Sequence, residues 1–170
     1  MRSDWVKKED VEHVLAALSP QNRLACELSL ATGMRIGDVL ELKVAKFEGS
    51  NRFTYKEQKT GKVRAVTVPR KLYADILRNA GKIYVFEGRS SAKKHRTRQA
   101  VFKDIKRVAS FWGGFGGVNL TPHSLRKSYA VDELGKDGDL KRVQKLLNHS
   151  NEAVTMIYAL ANHTKKSKRK

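Results

Sequence analysis

Toward the C-terminal end of the chain stand a histidine, an arginine, a second histidine and a tyrosine: His123, Arg126, His149 and Tyr158. Far upstream lie Arg35 and, 24 residues after it, Lys59. These residue types suit one kind of chemistry. Breaking a phosphodiester without a metal puts extra negative charge on the non-bridging oxygens, and fixed cationic donors must meet it; arginine forks match that geometry. The departing oxygen needs a proton donor, and a nucleophile must lie in line with it. His123 and Arg126 are three apart, so on a helix they share a face and can reach one phosphate. A lone pair of this kind would be an ordinary basic helix face. The other four residues make the set an inventory for handling phosphate. The remaining tyrosines are weaker nucleophile candidates: Tyr129 follows Arg126 on the same helix and suits the core, and Tyr55, Tyr73 and Tyr84 lie in strand or amphipathic settings without a basic constellation.

These side chains need elements to position them. Val11, Val14, Leu15 and Leu18 recur at i, i+3, i+4 and i+7, which predicts a helix over 7–18. Pro20 starts a second, running through Leu24, Leu28 and Leu30 to Gly33, a left-handed stop. A third is expected from Arg35 to Leu42, with Ile36, Val39 and Leu40 inward. RFTYKEQ and VRAVTV are rich in strand formers and are joined by Lys59-Thr60-Gly61-Lys62, a hairpin with Lys59 at its tip and Gly61 in the turn. A helix over 70–80, a short strand over 83–86, a basic polar connection over 90–99 and a helix over 98–111 follow. WGGFGG at 112–117 reads as a flexible loop without the third glycine of a nucleotide fingerprint. Thr121-Pro122 opens the helix of His123 and Arg126, as N-cap and first helical residue. Helices over 140–147 and 151–161 complete the chain, the last capped by Ser150 or Asn151. The expected class is α+β, mostly α-helical with a small antiparallel β-sheet at one edge.

Charge narrows the partner. The chain carries 35 Lys+Arg against 17 Asp+Glu, a net +18. Five of those positive charges sit in the tail HTKKSKRK at 163–170, and without them the chain is still +13. The excess is therefore spread over the folded part, which points to nucleic acid, RNA and DNA undecided on charge alone. With 40% apolar residues the chain reads as globular. Its one cysteine, Cys26, lies in the apolar run LACELSLA and is expected to be a buried packing residue. A disulfide within the chain is impossible, which fits a reducing compartment. There is no membrane-spanning stretch and no signal peptide, so the expected location is cytoplasmic, or nucleoid-associated in a bacterium or phage-infected host. No histidine belongs to a zinc-type motif, and neither metal nor cofactor is expected.

In order, the chain reads ATGMRIGDVLEL, KTGKVRAVTVP, HSLRKSYA, LLNH and TMIYA. This series resembles the tyrosine recombinase (phage integrase) family, whose catalytic domain carries an arginine after T-G-M/L, a hairpin lysine, H-x-L-R, L-L-G-H and then the tyrosine nucleophile. The match runs over about residues 7–160. The resemblance implies a catalytic domain over 1–162, followed by the basic tail at 163–170. It also implies roles. Tyr158 would attack the scissile phosphorus, giving a 3′-phosphotyrosyl link and a free 5′-hydroxyl. Arg35 and Arg126 would clamp the non-bridging oxygens. Lys59 would protonate the leaving 5′-oxygen, His123 would assist proton transfer at the tyrosine, and His149 would support the transition state. Asp38 would orient the first arginine or a neighbouring histidine. Lys62, Arg64, Lys93, Lys94, Arg96 and Arg98 are candidate contacts to the DNA backbone.

The implied partner is double-stranded DNA, with self-association into a tetramer on it and room for accessory DNA-bending proteins. Two departures matter. Asn148 stands where a glycine usually precedes the second histidine, and asparagine tolerates a left-handed turn. The sequence is also expected to begin at the catalytic domain, without the N-terminal clamp of recombinases, which would make DNA binding weaker and strongly salt-dependent. Two other functions share parts of this pattern: a type IB topoisomerase-like enzyme that relaxes DNA, and a non-catalytic basic DNA-binding accessory module.

Overall fold

The computed structural model describes residues 6, 8–111 and 120–147. The glycine-rich segment at 112–117, the helix expected over 151–161, His149, Tyr158 and the basic tail lie outside the described residues. Along the chain come α1 (Lys8–Ala17), α2 (Pro20–Thr32), α3 (Ile36–Leu40), a short 3-10 helix (Val44–Lys46), β1 (Arg52–Lys56), β2 (Val63–Thr67), α4 (Arg70–Asn79), β3 (Glu87–Gly88), β4 (Ser91–His95), α5 (Arg98–Phe111), α6 (Pro122–Asp137) and α7 (Leu140–Leu147).

α2 is the hub. It packs against α1, α3, α4, α5 and α6, burying Leu24, Ala25, Cys26 and Leu28. Cys26 is fully buried and burial pushes its thiol up, so it is the packing residue its apolar run suggests. Pro20 opens α2, and Gly33, at φ 66°, ends it by donating its N–H to the Ser29 carbonyl at 2.9 Å. α6 starts at Thr121-Pro122 as expected. The Thr121 N–H donates to Ser124 Oγ at 3.2 Å, while the Ser124 N–H donates to the Thr121 carbonyl at 2.9 Å. A satellite core of Ala130, Val143 and Leu147 joins α7 to α6.

The sheet content is two antiparallel pairs, β1–β2 and β3–β4. β1 and β2 run in register from Arg52↔Thr67 to Lys56↔Val63, with Phe53, Tyr55 and Val66 inward. Gly61, at φ 68°, lies in the connecting loop. Three expectations need correction. The strand expected over 83–86 is reduced to one bridge, Lys43↔Tyr84. Buried Val85 and Phe86 serve the core, and the Val85 N–H donates to the Leu42 carbonyl at 2.8 Å. The basic connection over 90–99 instead contains β4, which pairs with β3 through Glu87↔His95 and Gly88↔Ser91. α3 is shorter than expected, with Arg35 as its N-cap, in extended conformation. Among the described residues no helix is long and apolar enough to cross a membrane.

One carboxylate fastens the start of α2 to α5. Asp104 Oδ2 accepts from the Ser19 N–H (3.0 Å), the Ser19 hydroxyl (2.8 Å) and the Asn22 amide (2.7 Å), and Arg107 Nη2 donates to Oδ1 at 2.7 Å. Burial alone would raise this carboxyl. The donors from Asn22, Arg107 and Ser19 overcome it and hold the pKa at about 2. An unfolded aspartate titrates at about 4. A group depressed on folding stabilises the fold above its unfolded pKa and loses that contribution as pH falls through the folded value. Asp104→Asn should therefore be less stable than wild type at pH 7, and the gap should close between about pH 4 and the folded pKa of about 2. Urea denaturation across that window reads it, and a gap independent of pH would count against the assignment.

Candidate active site

The α2–α3 corner is built to deliver an arginine. The Ser29 hydroxyl donates to the Met34 carbonyl at 2.8 Å, and the Met34 side chain is fully buried. Arg35 follows, with its side chain only 13% exposed. The corner depends on Gly33. A Cβ there would stand 2.4 Å from the Tyr129 ring, on a backbone already at φ 66°. Tyr129 is thus the packing aromatic expected of it, laid against the corner from α6.

Arg126, on α6, ties that corner to α7. Its Nη1 donates to the Gly33 carbonyl at 2.5 Å and its Nη2 to the Leu147 carbonyl at 2.6 Å. A guanidinium has five N–H groups, so these two bonds fix its plane and leave donors for a further acceptor. Burial first, then the nearby charges of Arg35 and Arg64, lower Arg126 to about 10, still cationic at neutral pH.

The hairpin contributes a lysine and a carboxylate. Lys59 is exposed in the loop at 57–62. Two residues before it, Glu57 is buried, with its side chain at 0% exposure. Glu57 Oε2 lies 3.0 Å from Arg35 Nη1 and accepts the Thr60 hydroxyl at 2.6 Å, while Oε1 accepts Arg64 Nη1 at 3.3 Å. Burial by itself would raise Glu57. Thr60, Arg35 and Arg64 outweigh it and hold the group below the usual carboxylate range. Sequence reasoning missed Glu57. The signal was the two-residue alternation of β1: Phe53 and Tyr55 point inward, and Glu57 continues the same face. Asp38, on α3, is also buried and accepts the Gln58 N–H at 3.0 Å on Oδ1. Burial raises its pKa, against the lowering effect of that bond and of Arg35.

These parts converge. A cleft of about 380 Å³ is lined by Arg35, Asp38, Lys59, His123 and Arg126. Gln58 and Arg98 complete its wall, with Arg98 Cδ closest to where a Cβ on Gly37 would stand. Of the expected surface contacts, Arg98 thus belongs to the cleft. Arg64 is braced behind it, 9% exposed, on Glu57 and the Tyr55 hydroxyl (3.0 Å). Lys62, Lys93 and Lys94 are exposed. Arg96 donates Nε to Asn22 Oδ1 at 2.5 Å, and Lys94 and Arg96 line a second, wider depression between the start of α2, β4 and α5. His149 and Tyr158 fall outside the described residues.

The fold is that of tyrosine recombinase catalytic domains. Two solved relatives carry it. One is the XerH site-specific recombinase in a post-cleavage complex with a palindromic difH substrate: TM-score 0.72, 24% identity, 97% of this chain and 52% of that one. The other is a lambda integrase dimer bound to a COC′ core site: TM-score 0.73, 21% identity, 92% of this chain and 59% of that one. The chain belongs to the phage integrase family, whose model matches residues 4–165. Among curated relatives, the tyrosine recombinase XerA of Pyrococcus furiosus is 30% identical over 156 residues, 86% of this chain and 53% of that protein. The chain spans about half the length of the curated relatives it matches.

Two substitutions test the architecture. Glu57→Ala leaves Arg35 and Arg64 without their buried counter-ion and should cost about 3 kcal/mol, read by urea denaturation; Glu57→Gln, which keeps an acceptor, should cost less. Gly33→Ala should cost about 2 kcal/mol or more from positive φ and the Tyr129 clash together. Unchanged stability in either alanine variant would contradict the geometry above.

Proposed function

We propose that this chain is the catalytic domain of a site-specific DNA recombinase, an integrase that cleaves and rejoins DNA strands through a 3′-phosphotyrosyl intermediate. The observation that carries it is the cleft, in which Arg35, Lys59, His123 and Arg126 line one space although they are scattered over 92 residues of sequence. Family membership and the recombinase named among the relatives support the same reading.

In this mechanism the Tyr158 hydroxyl attacks the phosphorus and its proton passes to His123. Arg35 and Arg126 hold the non-bridging oxygens, and His149 adds a further hydrogen bond. As the bond from phosphorus to the 5′-oxygen breaks, the Lys59 ammonium protonates that oxygen. A 5′-hydroxyl from a partner strand then reverses the step. The ester conserves the bond energy, so no ATP is consumed. Asp38 supports the site. Lys62, Lys93, Lys94 and Arg98 meet the DNA backbone, Arg96 flanks them, and Arg64 acts through Glu57. The catalytic domain covers 1–162 and the tail at 163–170 adds non-specific attraction. The partner is duplex DNA, on which the protein assembles as a tetramer with accessory DNA-bending proteins, in the cytoplasm at the nucleoid.

Covalent trapping tests this. Nicked suicide duplexes carrying candidate attachment sequences, incubated without metal, should give a denaturation-resistant protein–DNA adduct with wild type and none with Tyr158→Phe. Arg126→Lys, lacking the planar fork, should form it roughly 100-fold more slowly. An adduct that survives Tyr158→Phe would overturn the mechanism. Relaxation of supercoiled plasmid with no defined site would move the function to a topoisomerase. DNA binding with no adduct on any sequence would leave an accessory binding module.

A further inference from the structure

We propose that Asp38 is a positioning residue for Lys59, fixing the lysine's place in the cleft through the backbone amide of Gln58. The inference rests on the recombinase reading above and assigns Asp38 a target in the hairpin. Lys59 is exposed, on a flexible four-carbon stem, and its backbone anchor sets the region the ammonium can reach. The loop at 57–62 is folded on itself: the Glu57 N–H donates to the Lys62 carbonyl and the Gly61 N–H to the Glu57 carbonyl, both at 2.9 Å, and the Thr60 hydroxyl donates to Glu57 at 2.6 Å. Those bonds shape the loop but do not aim it. Aim comes from ties to the helical body, among them the Arg35–Glu57 pair and Asp38 Oδ1, on α3, accepting the Gln58 N–H at 3.0 Å, one residue before the lysine. Asp38 is 5% exposed, on a helix packed against α2, so it is a fixed post. Both residues line the same cleft. Gly37, next to Asp38, shows the same proximity: a Cβ there would stand 3.4 Å from Gln58 Oε1, so the Gln58 side chain lies over the α3 backbone.

The step affected is protonation of the leaving group. The bond from Tyr158 Oη to phosphorus forms while the bond from phosphorus to the 5′-oxygen breaks, and the ammonium of Lys59 becomes an amine as its proton goes to that oxygen. A displaced lysine leaves an alkoxide unprotonated. If sulfur replaces the bridging 5′-oxygen, the leaving group is a thiolate, a far weaker base, and departs without the proton. Defects acting through Lys59 are therefore rescued by sulfur, and defects in clamping the phosphate are not.

Single-turnover cleavage of nicked suicide duplexes with bridging oxygen or bridging sulfur decides the matter. Asp38→Ala should slow the oxygen substrate roughly 30-fold and cleave the sulfur substrate at close to the wild-type rate. Asp38→Asn, which keeps a carbonyl acceptor, should recover much of the loss on oxygen. Lys59→Ala should show the same sulfur rescue, and adding Asp38→Ala to it should bring no further loss. Arg126→Lys should be slow on both substrates. Asp38→Leu, of similar shape and without an acceptor, replaces Asp38→Ala if that variant does not fold. An equal loss on both substrates, or additive losses in the double variant, overturns the proposal while the recombinase reading stands. A wild-type chain that cleaves neither substrate overturns that reading, and the proposal falls with it.

Discussion

The buried carboxylate of Glu57 is the interaction on which the rest of the site depends. The guanidiniums of Arg35 and Arg126 line the cleft and that of Arg64 is braced behind it, with Arg64 and Arg126 at most 9% exposed. Like charges held close together away from water repel one another. The field is visible in Arg126, pushed down by burial and then by Arg35 and Arg64. Glu57 lies against two of the three and offsets that repulsion where water cannot. It does so from the base of the hairpin loop, so one side chain neutralises the arginines and joins the strand pair to the helical body.

The arginines themselves are held in two different ways. Arg35 is aimed by the backbone, leaving a corner that only glycine at 33 permits, and is steadied by a charge. Arg126 is aimed by two carbonyl acceptors on segments far apart in sequence, Gly33 and Leu147. The two carbonyl bonds fix the plane of the Arg126 fork, and both arginines line the cleft. Lys59 is different in kind: it stands in a loop, exposed, at the end of a long stem. Phosphate clamping rewards rigidity, because the donors must already face the charge that develops. A proton donor has to reach one oxygen, so it is enough that its loop is anchored within reach of the cleft.

What was legible in the sequence follows from how local each signal is. α2 and α6 were readable because their limits are written in single residues, Pro20 and Gly33 for one and Thr121-Pro122 for the other. The hairpin was readable from its β-formers and turn. The β3–β4 pair was not. β4 is Ser-Ala-Lys-Lys-His, with no apolar alternation, and its partner is two residues long, so the pairing is set by the chain around it. The segment 83–86 misled in the opposite direction, because its apolar residues go to the core without building a ladder. In the site, the cations were visible as motifs. Glu57 was hidden because a glutamate after a strand looks like any solvated charge. Asp38 was visible as an acidic residue one turn after Arg35, yet its bond to the Gln58 amide depends on a backbone contact across 20 residues that no local pattern encodes.

That asymmetry has a physical reason. A group that touches a phosphate must be of a particular type, so its identity survives in the sequence as a motif. A group that holds it in place only has to fill a geometric need, and carbonyls, amides and carboxylates all can. The supports of this cleft are the Gly33 and Leu147 carbonyls, the Gln58 amide, and two carboxylates. Three of the five are main-chain atoms, which carry no side-chain signature. The clamp is therefore a property of where α2 ends, where α7 ends and how the hairpin meets α3. Substituting the exposed side chain at Gln58 would leave its main-chain bond available. Shifting a helix end by one residue would move the main-chain bonds, and the placement of the arginines is in that sense the fold itself.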